Sequence, residues 1–151
     1  MSFRKGQAAL DFLMTYGWAI ALVVIIAAVL FALGIFDVSN FVGSKAAGFS
    51  GVAVTGWKFD TAGGFTMKVS NQVGQPITVS NISVTIGSNT SNVATPFDLA
   101  TGEASATQTF SGFASQIAGS GYTAKVTIAY TDKNSGFDYT STGTLTGKAT
   151  A

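Results

Sequence analysis

Residues Phe12 to Phe36 read FLMTYGWAIALVVIIAAVLFALGIF, 25 residues without a single charge. No other feature constrains the chain as strongly. As a helix rising about 1.5 Å per residue, the run reaches roughly 37 Å. About 20 residues suffice to cross a bilayer, so this run spans one with some tilt. Its polar interruptions are Thr15, Gly17 and Gly34, and membrane helices tolerate glycine. A buried helix of this length and uniformity would be unusual in a soluble protein.

Orientation follows from the flanks. Arg4 and Lys5 precede the run, whereas Asp37 and only later Lys45 follow it. The excess of basic residues before the run keeps the N-terminus in the cytoplasm and sends the rest outside. Tyr16 and Trp18 stand near the cytoplasmic end, where an interfacial aromatic belt belongs.

Beyond residue 38 the composition changes to Ser, Thr, Gly and Asn. Val38 to Ser50 reads as a helix end and a connection, with Gly34, Gly43 and Gly48 as breaks. The helix is expected to continue as far as Ala47. Residues 51–151 are expected to be all-β. Val52, Val54, Trp57 and Phe59 form a first strand pair. Phe65–Val69, Ile77–Val79, Ile82–Ile86, Ala124–Tyr130 and Tyr139–Leu145 alternate as half-buried strands do. Ala104–Phe110 is a more polar strand, and Asn81 marks a register break. Turn residues separate them at Ala62–Gly64, Gln72–Pro76, Gly87–Asn89, Gly119–Gly121 and Asp132–Gly136. The expected fold class is therefore α+β: a long N-terminal hydrophobic helix followed by an all-β, Ig-like sandwich.

Composition narrows the chemistry. The 151 residues contain no histidine and no cysteine, with eight basic and seven acidic side chains. Disulfides, thiolate catalysis, Cys/His zinc sites and His-based triads are thereby excluded. A net charge of +1 leaves no basic stripe for nucleic acid. No Walker A or dinucleotide fingerprint is present, and no cofactor is expected. Asp132-Lys133-Asn134 with Asp138 offers oxygen ligands for calcium, but a polar hairpin turn explains it better, and no metal is expected. Asp60, Asp98, Glu103, Asp132 and Asp138 are the acids an enzyme would draw on, yet no motif pairs them. Asn81-Ile82-Ser83 and Asn89-Thr90-Ser91 are N-glycosylation sequons, making Asn81 and Asn89 candidate acceptors on an exported surface.

The most informative segment is Arg4-Lys5-Gly6-Gln7-Ala8-Ala9-Leu10-Asp11-Phe12-Leu13. A basic pair and a glycine precede an apolar run whose only charge is Asp11. A carboxylate at the edge of a membrane helix is costly, and a partner is the default expectation for it. The alternative is a carboxylate resting in the headgroup layer and favouring the helix N-terminus.

Residues 4 to 36 resemble the class III signal peptide and N-terminal helix of archaeal type IV pilin-like proteins. The resemblance lies in the basic residues Arg4 and Lys5, Lys5-Gly6 at the cut, Gln7 after it, an acid as the fifth residue after the cut (Asp11), and Leu13, Met14, Tyr16, Gly17 and Trp18 beyond. It implies removal of residues 1–6 by a prepilin peptidase, between Gly6 and Gln7. The family's acid is usually Glu, whereas Asp11 reaches one methylene less far, and Ala9 stands where a Ser is common. Residues 7–47 would be the hydrophobic helix, first anchor and then filament core, and 51–151 the extracellular sandwich. Cleavage removes Arg4 and Lys5, leaving six of the eight basic groups, and creates an amine one turn from Asp11. By resemblance, pairing of that amine with Asp11 sets subunit register. Ala19, Ala21, Ala27, Ala28 and Ala32 would let helices approach closely.

The implied partners are copies of the chain itself in a helical homopolymer, the peptidase and assembly machinery, and the membrane before assembly, with no nucleic acid. The implied location is a cell-surface filament, with a precursor in the cytoplasmic membrane. The expected function is adhesion by polymerisation rather than catalysis. Alternatives are an archaellin-like motility subunit, an uncleaved single-pass anchored binding domain, and a secreted protein cut after Ala32 or Gly34.

Overall fold

The computed structural model describes residues 3–33 and 43–151. The chain divides into two compact units, one holding the helix and the other the β-domain. Helix α1 spans Phe3–Ala32. Its 27 residues from Gly6 to Ala32 are long and apolar enough to cross a membrane. The last turn closes with the Leu33 amide donating to the Val29 carbonyl at 2.9 Å. Gly34, Phe36, Asp37 and the rest of the expected helix through residue 42 lie outside the described residues.

The expectation of a helix as far as Ala47 is corrected: Lys45–Ala47 is strand β1. Eight further strands follow: β2 (Val52–Phe59), β3 (Phe65–Asn71), β4 (Ile77–Ile86), β5 (Asn89–Val93), β6 (Phe97–Leu99), β7 (Gln108–Phe110), β8 (Gly121–Asp132) and β9 (Asp138–Lys148). They form two antiparallel sheets. One runs β1-β9-β8-β4-β5, with β6 also paired to β4, and the other runs β2-β3-β7. The result is the α+β chain with a β-sandwich that the sequence pattern predicts.

Period-2 patterning builds the core. Val52, Val54, Phe59, Phe65, Met67 and Val69 from the smaller sheet are buried against Ile82, Val84, Val126, Ile128 and Leu145 from the larger. Each such side chain contributes about 1.5–3 kcal/mol on burial. The two segments expected around Asn81 are one strand, β4, whose register with β8 shifts between Val79 and Asn81. The extra residue changes the inward parity. Ile77 and Val79 face the core before it, and Ile82 and Val84 after it. Without the bulge, one of these pairs would point to solvent.

Strands β1, β5 and β6 are those the apolar pattern misses. β5 is polar and follows a two-residue turn in which Gly87 takes φ 62° before Ser88. Positive φ at the first turn position alone is the type II′ geometry that suits a hairpin. Thr85 and Thr90 then share a 2.9 Å hydroxyl hydrogen bond across the strands. Of Ala104–Phe110, only the last three residues form strand, while the Ser105 hydroxyl accepts the Val69 amide at 3.1 Å.

Gly143 shows why β1 docks where it does. A Cβ there would lie 2.6 Å from the Ala47 carbonyl oxygen and 2.6 Å from the Phe49 ring. The backbone carbonyl cannot swing aside without breaking the β1–β9 ladder. Gly143→Val is expected to destabilise the domain by about 2–4 kcal/mol, read as a lower thermal midpoint of its β-sheet circular dichroism signal.

An aromatic cluster fills one end of the sandwich. Phe59 meets Tyr122 at 4.9 Å and Phe113 at 6.0 Å, both edge to face. Burial pushes the Tyr122 phenol up to about 12, against the opposing effect of its hydrogen bond with Trp57. The folded chain therefore holds this proton at pH values where the unfolded chain has lost it. Its contribution is complete below the unfolded value near 10 and lost as pH rises towards 12. Stability is expected to fall by about 2 kcal/mol across that window. Tyr122→Phe should flatten the fall, as measured by denaturant titration at pH 9 and pH 11.

Candidate functional site

The candidate site is the N-terminal part of α1. Its regular backbone covers Gly6, Gln7 and Asp11. Gly6 is exposed, and a Cβ added there meets nothing within 4 Å. Gln7 and Asp11 stand four residues apart, so they share a helix face one turn from each other. Both are exposed. The Thr15 hydroxyl donates back to the Asp11 carbonyl at 2.7 Å, which satisfies that polar group within the helix. Arg4 and Lys5 lie in the same helical segment.

Beyond Asp11 the helix presents apolar side chains on every face. Met14 is 82% exposed, Trp18 67% and Phe31 75%, with Leu13, Val23, Val24 and Ile25 similarly bare. Phe12 and Tyr16, one turn apart, pack with ring centroids at 4.8 Å. Tyr16, Ala19, Ile20, Val23 and Val24 line an open apolar groove on the helix surface. Bare apolar surface of this extent is stable only against lipid or against other apolar helices.

The sequons fold differently. Asn89 is exposed at the start of β5, directly after the II′ turn. Asn81 sits at the β4 bulge, half-buried, its carboxamide oxygen enclosed and without a partner. An enzyme transferring a glycan needs the amide presented on accessible backbone. Should the domain be exported and glycosylated, glycopeptide mass spectrometry is expected to place a sequon glycan on Asn89 and none on Asn81.

The carboxylates of the domain are each held by local partners. Asp60 accepts the Ala62 amide at 2.8 Å, Glu103 the Ala100 amide at 2.8 Å, and Asp132 the Asn134 amide at 2.7 Å. Asp138 accepts from the Thr131 hydroxyl. Asp98 pairs with Lys133 at 2.6 Å and accepts from Thr78, hydrogen bonds that hold its carboxyl below the usual carboxylate range. Asp132 and Asn134 thus form the polar hairpin turn, an Asx turn capping the loop between β8 and β9. Among the described residues, no group of three acids is placed to share a cation.

Three polar residues that pattern reading passes over organise the domain. Asn71 is fully buried. Its amide nitrogen donates to the carbonyls of Gln75 at 2.7 Å, Leu99 at 3.2 Å and Ala100 at 3.2 Å, while its oxygen accepts the Val73 amide at 2.9 Å. Buried Ser141 on β9 donates to the Val52 carbonyl at 2.9 Å and accepts the Ser50 amide at 3.1 Å, joining the sheets. The Ser105 hydroxyl accepts the Val69 amide at 3.1 Å and donates to the Ala106 carbonyl at 2.8 Å, tying the chain before β7 to β3. In a chain so rich in Ser and Asn, residue type alone does not single these out.

No protein-family model matches the chain, and no curated protein matches it significantly.

Proposed function

We propose that the chain is a structural subunit that polymerises through α1 into a type IV pilus-like surface filament of the archaeal kind, serving adhesion and carrying out no catalysis. The observation that carries this reading is a helix apolar on all sides, bare along its length, with one carboxylate a single turn from Gln7. Such a helix suits a bilayer before assembly and a helix bundle after it. Leaving lipid brings little hydrophobic gain, so close packing and a specific polar pair must favour the bundle. The Lys5-Gly6-Gln7 junction, which resembles a prepilin peptidase site, supplies the amine for that pair. Removal of Arg4 and Lys5 would also take away the charges that hold the N-terminus at the cytoplasmic face.

One observation favours a second reading, an uncleaved single-pass anchored domain. The Gly6–Gln7 bond lies inside regular helix, whereas proteolysis acts on backbone that has left it. Fractionation separates the two. The filament reading expects the chain in sheared, sedimentable fibres, and the anchor reading expects it in membranes alone.

A further inference from the structure

The β-domain is polar along its strand axis. The eleven steps of β8 from Gly121 to Asp132 place its two ends about 37 Å apart. At one end, here the proximal pole, the chain joins the domain: Lys45 pairs with Thr146, and Ser44 lies beside Gly147. The opposite, distal pole carries the turn between β8 and β9.

Among the described residues of the domain, the large apolar side chains left exposed are Ile117, Phe137 and Tyr139. They divide between the poles. Ile117 is 82% exposed, on a loop tied to the proximal pole by Gln116 to Thr61 at 3.0 Å and Gly119 to Ala149 at 2.8 Å. Phe137 and Tyr139 belong to the distal pole. Tyr139 shares the inward parity of Ser141 and Leu145 but lies past the residue that reaches Val52, where the smaller sheet begins. It stacks on Tyr130 at 5.8 Å yet remains 45% exposed, and Phe137, two residues earlier in the chain, is 66% exposed, giving the distal pole an exposed aromatic shelf.

Charge divides the same way. The distal pole holds four carboxylates, Asp98, Glu103, Asp132 and Asp138, against Lys133, a net of −3. The proximal pole holds Lys45, Lys58 and Lys148 against Asp60, a net of +2. The exposed Ile117 thus stands at the basic end of the domain, and the exposed Phe137 and Tyr139 at the acidic end. Two different, complementary patches on one molecule are what a heterologous, repeating contact requires, whereas a two-fold dimer uses one patch twice.

We propose that the distal aromatic shelf of one copy receives the Ile117 loop of a second copy, a head-to-tail contact between β-domains. It deepens the filament reading and rests on it for the polymer in which the contact repeats. Its occupant is a second copy rather than an unrelated protein because both complementary surfaces belong to this chain.

The absence of cysteine allows a direct test with full-length chains. Ile117→Cys and Phe137→Cys each introduce one thiol at an exposed position, and an unchanged thermal midpoint confirms that each variant is folded. Cells producing both are oxidised, and surface fibres and membranes are separated on non-reducing gels. The expected result is a 117–137 dimer at least tenfold above either variant alone, and a ladder from the double variant. Asp132→Lys combined with Asp138→Lys should reduce the dimer at least tenfold. Sedimentable fibres without the 117–137 link overturn the contact and leave the filament reading standing. Homodimers of a single variant also overturn it, pointing to a two-fold contact. So does an Ile117→Cys thiol shielded by membranes without cross-linking, which would mean that the basic pole rests on lipid. A 117–137 link in membranes without fibres supports the contact and contradicts the helix-core polymer.

Discussion

Asp11→Ala is expected to leave the protein inserted in the membrane but to reduce sedimentable fibre at least a hundredfold. The two effects have different physical origins. Removing a carboxylate from the edge of an apolar helix lowers the cost of insertion, which on insertion scales is about 2.5–3.5 kcal/mol at a helix centre and less near an end. Assembly responds in the opposite direction. In a core of apolar helices the amine that the proposed cleavage would create at Gln7 would need a counter-charge, and Asp11 stands one turn away on the same face. Removing one partner of a buried pair leaves the other uncompensated, at a cost of about 3–5 kcal/mol. A factor of ten in equilibrium corresponds to about 1.4 kcal/mol, so the loss exceeds a hundredfold. Asp11→Asn keeps the shape without the charge and should fail similarly. Asp11→Glu keeps the charge and should assemble. Shearing and sedimentation of cells producing each variant reads all three, and full assembly of Asp11→Ala would remove the pairing from the account.

Asn71→Leu should be the most damaging single substitution in the β-domain that leaves residue size nearly unchanged. Four hydrogen bonds converge on that carboxamide, from the loop ending at Gln75 to the chain after β6. The backbone of Asn71 also joins this junction, its amide donating to Glu103 at 2.9 Å and its carbonyl accepting Gly102 at 2.9 Å. Leucine would fill the space but strand three carbonyls and the Val73 amide. Buried unsatisfied groups cost about 1–3 kcal/mol each, and partial rearrangement towards water reduces the sum to about 4 kcal/mol. A domain of this size loses several degrees of thermal midpoint per kcal/mol. The expected drop is therefore more than about 15 °C, followed by circular dichroism of the full chain in detergent. Asn71→Asp, which keeps the acceptor and loses the donors, should fall between Leu and the native residue.

What the sequence made legible follows from how each element is stabilised. Strands that bury one face announce themselves: Phe65–Val69 and Ala124–Tyr130 alternate cleanly, and both are strands. The bulge at Asn81 was legible because it interrupts that alternation. β5 was not, since Asn89–Val93 owes its pairing to the Gly87 turn and a Thr–Thr contact rather than to a buried face. β1 was hidden for a related reason. Lys45–Ala47 is exposed throughout, and its position is set by Gly143, a hundred residues on, which leaves room for it and for Phe49. The apolar helix was plain from composition, but its expected extension to Ala47 ran into that strand. In the candidate site, spacing alone put Gln7 and Asp11 on one face. The two poles were not legible, because nothing in the alternation of apolar and polar residues tells that Ile117 and Phe137 are exposed at opposite ends of the strands.

The central claim is that α1 is processed and becomes the core of a polymer. Its most direct test is the N-terminal residue of the protein recovered from sheared, sedimented surface material, read by mass spectrometry. The account predicts a chain that begins at Gln7, in fibres. A chain that begins at Met1 and is found only in membranes would contradict it.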